Sequence, residues 1–292
     1  MRHRHRVIVT LISAATLTFA AGLARGESNG PSTLMRWSYG SPPSDEGSPL
    51  DEPLEADRPD FTESPKTVGK GVLQLEMGYT FTSDSEDGAH TAKHSFPETL
   101  LRVGVLADWL EFRAEWNYEV DQTRAGGVTD TQSGADDLIA GFKIALTQQQ
   151  CCLPETGIIL DLSLPTGGDA FTSGVVQPGV NYCYSWELNK KWSLSGSTAI
   201  GGAVDDVTND PYSEFTQSLS LGHIFNEKVS SFSEFYVLSP IGADTNRPQD
   251  YFNAGFAVHI NKDVQWDIRA GVGLNEAADN FFAGTGLSLR YY

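Results

Sequence analysis

The sequence predicts an all-β protein, an antiparallel transmembrane β-barrel of about 12 strands. Three observations carry this. Apolar and polar side chains alternate with period two over much of the chain. The polar face of that alternation is charged. The connectors between alternating runs are themselves alternately long and short.

The N-terminus comes first in the chain and is set apart. Arg2, Arg4 and Arg6 precede an apolar run from Val7 to Ala21, and small residues follow at Gly22, Ala24 and Gly26. This is the pattern of a secretory signal peptide, taken as residues 1–24. Residues 25–66 are rich in Pro, Ser, Asp and Glu without a period, so they cannot build a core of their own. They are expected to be a flexible segment, with Asp57, Arg58, Asp60 and Phe61 as candidates for a plug entering the lumen. Residues 67–292 form the expected barrel.

The alternation opens with Leu73, Leu75, Met77, Tyr79 and Phe81, interleaved with Gln74, Glu76, Gly78 and Thr80. It is clearest in Leu110, Phe112, Ala114, Trp116, Tyr118 and Val120, which are interleaved with Glu111, Arg113, Glu115, Asn117 and Glu119. Successive strand side chains point to opposite faces, whereas a helix would scatter both sets around its circumference. Comparable stripes run through Leu138–Leu146, Ile158–Leu164, Val180–Trp186, Trp192–Ile200, Phe252–Ile260, Val264–Val272 and Phe281–Tyr291. Segments 97–105, 213–225 and 229–239 are weaker strands. Ser83–His94, Asp121–Gly134, Pro165–Gly174, Gly202–Pro211 and Pro240–Gln249 read as long connectors. Ala107–Trp109, Leu188–Lys191, Asn226–Lys228 and Asn261–Asp263 read as tight turns. Outer-membrane barrels sort their loops this way, with short turns on the periplasmic side.

In a membrane barrel the apolar stripe meets lipid and the polar stripe lines the interior. Unpaired carboxylates and guanidiniums would be costly in a dry core. The expected lumen residues are therefore Gln74, Glu76, Glu98, Arg102, Glu111, Arg113, Glu115, Asp161, Asp267 and Arg269. Trp109, Tyr118, Trp186, Trp192, Trp266 and Tyr291 suit interfacial girdles.

Composition narrows the function. The chain holds 38 acidic against 20 basic residues, a net charge of −18, which argues against nucleic acid as a partner. Cys151, Cys152 and Cys183 are an odd set: one bridge to Cys183 fits an oxidising compartment, and three small buried hydrophobes fit slightly better. No nucleophile elbow, P-loop or zinc-protease motif is present. No enzymatic activity, metal or cofactor is expected.

The stretch Glu55-Ala56-Asp57-Arg58-Pro59-Asp60-Phe61-Thr62-Glu63-Ser64-Pro65 is followed by Thr67-Val68, Lys70-Gly71, Gln74-Leu75-Glu76 and Gly78-Tyr79. It resembles the opening signature of the family described as "putative MetA-pathway of phenol degradation". Pro97-Glu98, Leu101–Gly104 and Leu110–Arg113 are similar to its next hairpin, and Phe282–Tyr291 resembles its closing strand. The opening motif is fairly specific and the remainder generic. The resemblance implies a bacterial outer-membrane β-barrel of the transporter type. The expectation is passage of small molecules, aromatic or hydrophobic ones among them, across that membrane. The implied partners are outer-membrane lipid, the barrel-assembly machinery and a small-molecule solute. Two alternatives stand beside it: a structural barrel with a filled lumen and no transport, and a secreted soluble β-sandwich binding ligands through its loops.

Overall fold

The computed structural model describes residues 32–38, 50, 52–86, 88–205 and 207–292. The signal peptide lies outside them. The strands are β1 (Leu73–Glu86), β2 (Ala89–Gly104), β3 (Leu110–Ala125), β4 (Val128–Ala135), β5 (Leu138–Thr147), β6 (Glu155–Leu164) and β7 (Gln177–Asn189). They continue as β8 (Trp192–Val204), β9 (Pro211–Asn226), β10 (Val229–Ile241), β11 (Gln249–Asn261), β12 (Val264–Gly273) and β13 (Phe281–Tyr291).

Except between β4 and β5, each strand pairs antiparallel with its sequence neighbour, and β13 returns to β1 with Leu73 opposite Tyr291 and Ser83 opposite Phe281. The sheet is thereby closed and has no free edge. β4 and β5 share one position in the ring. β4 pairs with Tyr118–Ala125 of β3 and β5 with Leu110–Glu115. They are one bent strand interrupted at Asp136 and Asp137, so the 13 segments make a 12-stranded barrel. The closed ring excludes the β-sandwich.

The burial pattern decides which face is which. Gln74, Glu76, Arg102, Glu111, Lys143, Glu234, Asn253 and Asp267 are all at most 1% exposed. Leu73, Trp116, Phe142, Leu160, Phe235, Phe252, Phe256, Trp266 and Ile268 are exposed. A soluble protein reverses this. The apolar stripes form the outer surface and the charged stripes the interior, and only a hydrocarbon solvent makes that arrangement favourable.

Both ends of the ring lie on one side, taken as periplasmic, with turns at 105–109, 148–154, 190–191, 227–228 and 262–263. Two expected long connectors on the other side are strand instead. Ser83–His94 and Asp121–Gly134 pair as extensions of the β1–β2 and β3–β4 hairpins. Their turns are tight because Gly88, Gly126 and Gly127 take positive φ angles of 81°, 58° and 81°. These extensions carry polar residues on both faces, so their sequence has no stripe to betray the pairing.

The cysteines also need correction. All three are free. Cys183 is fully buried on the inner face of β7, whereas Cys151 and Cys152 are exposed in the β5–β6 turn. They form no bridge, and only one of them is a buried hydrophobe.

Candidate functional site

Residues 52–71 run inside the barrel. The segment enters at the periplasmic end, where the Leu54 N–H donates to Lys262 O (2.7 Å) and Arg290 Nη2 donates to Glu52 O (2.8 Å). It leaves at the same end. The Val68 N–H meets Glu111 Oε2 (2.9 Å), and Gly71 N–H meets Gly104 O (2.9 Å). Gly104 permits this close return, since a Cβ there would overlap the Gly69 carbonyl.

Between entry and exit the segment bridges opposite walls. Asp57 sits against three cations on adjacent strands: Arg113, Lys143 at 2.7 Å and Arg102 at 3.3 Å. Arg102 and Arg113 lie directly opposite each other across β2 and β3. Like charges so placed repel, and carboxylates must interleave them. Glu111 takes Arg102 Nε at 2.8 Å, and Glu76 takes Arg102 Nη1 at 3.1 Å. Glu63 adds a carboxylate 2.9 Å from Arg113 and 3.4 Å from Lys143.

Arg58 reaches the other way. Its guanidinium meets Glu98 of β2 at 2.6 Å and Asp267 of β12 at 3.5 Å. It lies over Gly78 and Gly286, where any Cβ would collide with it. Glu76 accepts the backbone N–H of Arg58 (3.1 Å), and Arg269 donates to Pro59 O (3.0 Å) and Thr80 Oγ1 (3.1 Å). Higher in the lumen, Glu234 of β10 accepts the N–H groups of Phe61 (2.8 Å) and Thr62 (2.7 Å) and also the Thr62 hydroxyl. The Phe61 ring stacks on Tyr236 with centroids 4.3 Å apart.

The expected residues therefore divide. Gln74, Glu76, Glu98, Arg102, Glu111, Arg113, Asp267 and Arg269 converge on the inner segment through Glu55, Asp57, Arg58 and Pro59 or on one another. Glu115 touches Arg113 at 3.3 Å, but its side chain is 40% exposed. Asp161 stands apart, beside Asp136 and Asp137 on a cavity of about 340 Å³. Asp60 lines a second cavity of about 320 Å³, between the inner segment and a wall carrying Ser193, Ser195, Ser220, His223 and His259.

Sequence reasoning missed Lys143, Glu63, Glu234, Asn253, Tyr236, Tyr251 and Phe282. Lys143 had a signal: it falls between Phe142 and Ile144, on the polar phase. The inward aromatics had a subtler one. Tyr251-Phe252 and Phe281-Phe282 are adjacent aromatics in strands, so one of each pair must face inward.

Carboxylates also fix the outer connectors. Asp137 accepts the N–H groups of Gly167 and Ser173, both at 2.9 Å. Asp205 accepts the N–H groups of Val207 (3.1 Å), Thr208 (3.1 Å), Thr245 (2.7 Å) and Asn246 (3.2 Å), and the Thr245 hydroxyl (2.6 Å). Those donors, the Thr245 hydroxyl foremost, hold its carboxyl well below the usual carboxylate range. A depressed folded value gives stability that is complete above the unfolded value, about 3.9, and lost only as pH falls through the lower one. The clasp between these two connectors is thus expected to hold from pH 7 to about pH 4. Asp205→Ala should open it across that range. Protease cleavage within residues 242–248 of reconstituted protein reads this out; equal cleavage of variant and wild type would refute the clasp.

The family described as "Putative MetA-pathway of phenol degradation" matches residues 56–291. The chain belongs to this family. The match begins within the inner segment, so the family pattern includes the lumen-filling residues as well as the barrel. An outer membrane channel from Pseudomonas putida F1 superposes with a TM-score of 0.58 at 15% identity, covering 81% of this chain and 100% of that one. The transport unit of an Escherichia coli autotransporter gives 0.55 at 8% identity, covering 76% and 91%. The beta domain of a Bordetella autotransporter gives 0.51 at 11% identity, covering 76% and 100%. At these identities the likeness is one of fold. No curated protein matches the chain. Together, fold and lipid-facing exterior make this family member a β-barrel of the bacterial outer membrane.

Proposed function

We propose that this protein is a gated channel for small aromatic or hydrophobic molecules, with residues 52–66 as the gate. One observation carries the reading: a segment tethered at the periplasmic end lies among the inward side chains of the wall, bonded to them through Asp57, Arg58, Phe61 and Thr62. Both ends of that segment are held on the periplasmic side. It can therefore withdraw without breaking any strand pairing of the barrel. Its contacts are charge-assisted hydrogen bonds, strong while dry and readily replaced by water once the lumen floods.

Two further features support the solute class. Tyr236, Tyr251 and Phe282 turn inward among the polar wall residues and place an apolar surface inside the lumen. The family's description links it to phenol degradation. Selection would follow from this surface and from the charges around it. No catalytic role is proposed for any residue. Tyr291, outward at the end of β13 and 55% exposed, is the group we assign to recognition by the barrel-assembly machinery.

A structural barrel without transport is favoured by the wall's own ion pairs, Arg102 with Glu111 and with Glu76. Vesicle uptake of tyramine, an aromatic too polar to cross lipid quickly, separates the two. Faster uptake with protein than without it supports the channel. Uptake equal to protein-free vesicles, with and without residues 27–66, favours the filled barrel.

A further inference from the structure

The inner wall holds one site where polar and aromatic groups converge. Glu234 faces Asn253 across β10 and β11, and Tyr236 faces Tyr251 one pair further toward the outside. Gly271 of β12 lies between Asn253 and Phe282. A Cβ at Gly271 would collide with the Phe282 ring, so the glycine lets that ring lie flat against the wall. Tyr236 and Tyr251 stack at 4.9 Å, and Phe282 meets Tyr251 edge-on at 6.1 Å. Arg269 stands over Phe282 at 5.6 Å.

Two observations point to a ligand. First, the fully buried Asn253 spends its amide N–H on Glu234 (2.8 Å), while its Oδ1 has no partner. A buried acceptor without a donor has lost its water and gained nothing in return, which is destabilising. A donor brought in by a bound molecule would remove that cost. Second, the occupant of the site in the closed state is itself shaped like a small molecule. The Phe61 ring stacks on Tyr236, and the Thr62 hydroxyl donates to Glu234 beside it. A benzene ring and a hydroxyl are thus presented together to a stacking face and an acceptor.

We infer that Phe61 and Thr62 occupy, as an internal stand-in, a binding site for a small aromatic ring that carries a hydrogen-bond donor. The ring would stack on Tyr236 within reach of Tyr251 and Phe282. The donor would go to Glu234 or to the unpaired Asn253 Oδ1. Ligand and gate then compete for one surface, so binding from outside displaces Phe61. The inference rests on the channel reading for its purpose, but its test does not depend on transport.

The test is phenol binding to full-length mature protein in lipid nanodiscs, followed by saturation-transfer NMR with empty discs subtracted. Anisole keeps the ring without the donor, and cyclohexanol keeps the donor without the aromatic ring. Removing the competitor with Phe61→Ala should tighten phenol binding by about tenfold, the scale of one aromatic pair with its buried area. Phenol should bind more tightly than anisole, which lacks the donor, and cyclohexanol, which lacks the aromatic ring, should show no specific binding. Tyr236→Leu should abolish the gain, and in the Phe61→Ala background Glu234→Gln should weaken phenol more than anisole. Heat-modifiable migration on gels checks that each variant keeps its barrel. Equal phenol affinity in wild type and Phe61→Ala, or equal affinity of all three probes for Phe61→Ala, overturns the inference. Should Phe61→Ala tighten phenol while the tyramine experiment fails, the site stands and the channel reading falls. The converse pair of results removes the site alone.

Discussion

Deleting residues 27–66 is expected to turn a nearly closed barrel into an open one, with single-channel conductance in planar bilayers rising severalfold. Eight-stranded barrels fill their interior with their own side chains, while 16- to 18-stranded porins leave an aqueous channel. A ring of 12 lies between these, and here the filling comes from a separate segment. Asp57 and Arg58 between them reach β1, β2, β3, β5 and β12. Without that segment Glu76, Glu111, Arg102, Arg113, Lys143 and Asp267 would face water. Such a lined, hydrated lumen conducts ions. The strand pairings that close the ring are unaffected, so folding into vesicles should persist. Unchanged conductance in the deletion variant would remove the gating role.

A single substitution should reproduce much of that effect. Among the described residues, Asp57 is the one carboxylate that touches Arg102, Arg113 and Lys143 together. Removing one partner of a buried charge cluster costs about 3–5 kcal/mol, because the others are stranded without water. In this barrel the stranded cations have an escape: the inner segment leaves and they hydrate. The cost of Asp57→Ala therefore falls on docking of the segment and not on the barrel. A loss of about 3 kcal/mol shifts the docked-to-released ratio by more than about a hundredfold. The expected results are frequent open events in bilayer recordings and rapid proteolysis of the N-terminal segment. Arg58→Ala should act in the same direction but more weakly, since the Asp267 contact is already 3.5 Å long. If Asp57→Ala stays closed and resistant, the three-cation cluster does not hold the segment.

Legibility in the sequence followed the range of the physics. Strand phase is local, and the run from Leu110 to Val120 showed its apolar and charged faces outright. The membrane-barrel reading followed from the alternation of long and short connectors, which outer-membrane barrels sort to opposite sides. The pairing of Asp57 and Arg58 with wall charges was readable as well, since their signs complement the expected wall. Long-range choices were not. Nothing near Thr62 in sequence announces Glu234, 172 residues away. Lys143 and Glu234 could be placed on the inner face only once the phase of their strands was fixed, and β10 alternates too weakly to show it. The inward aromatics Tyr251 and Phe282 break the polar-inside rule, so the stripes through Phe252 and Phe281 did not single them out. The hairpin extensions of β1–β2 and β3–β4 are polar on both sides, which made them look like loops.

The account stands on the apolar stripes touching acyl chains. Trp116 tests this most directly, since it lies on β3 between the charged positions Glu115 and Glu119 and is 41% exposed on the outer face. A variant keeping Trp116 as its sole tryptophan, reconstituted in vesicles, should lose most of its fluorescence to lipids brominated on their acyl chains and little to aqueous iodide. Strong quenching by iodide with none by the brominated lipids would place that stripe in water or in a protein core and contradict the barrel's orientation.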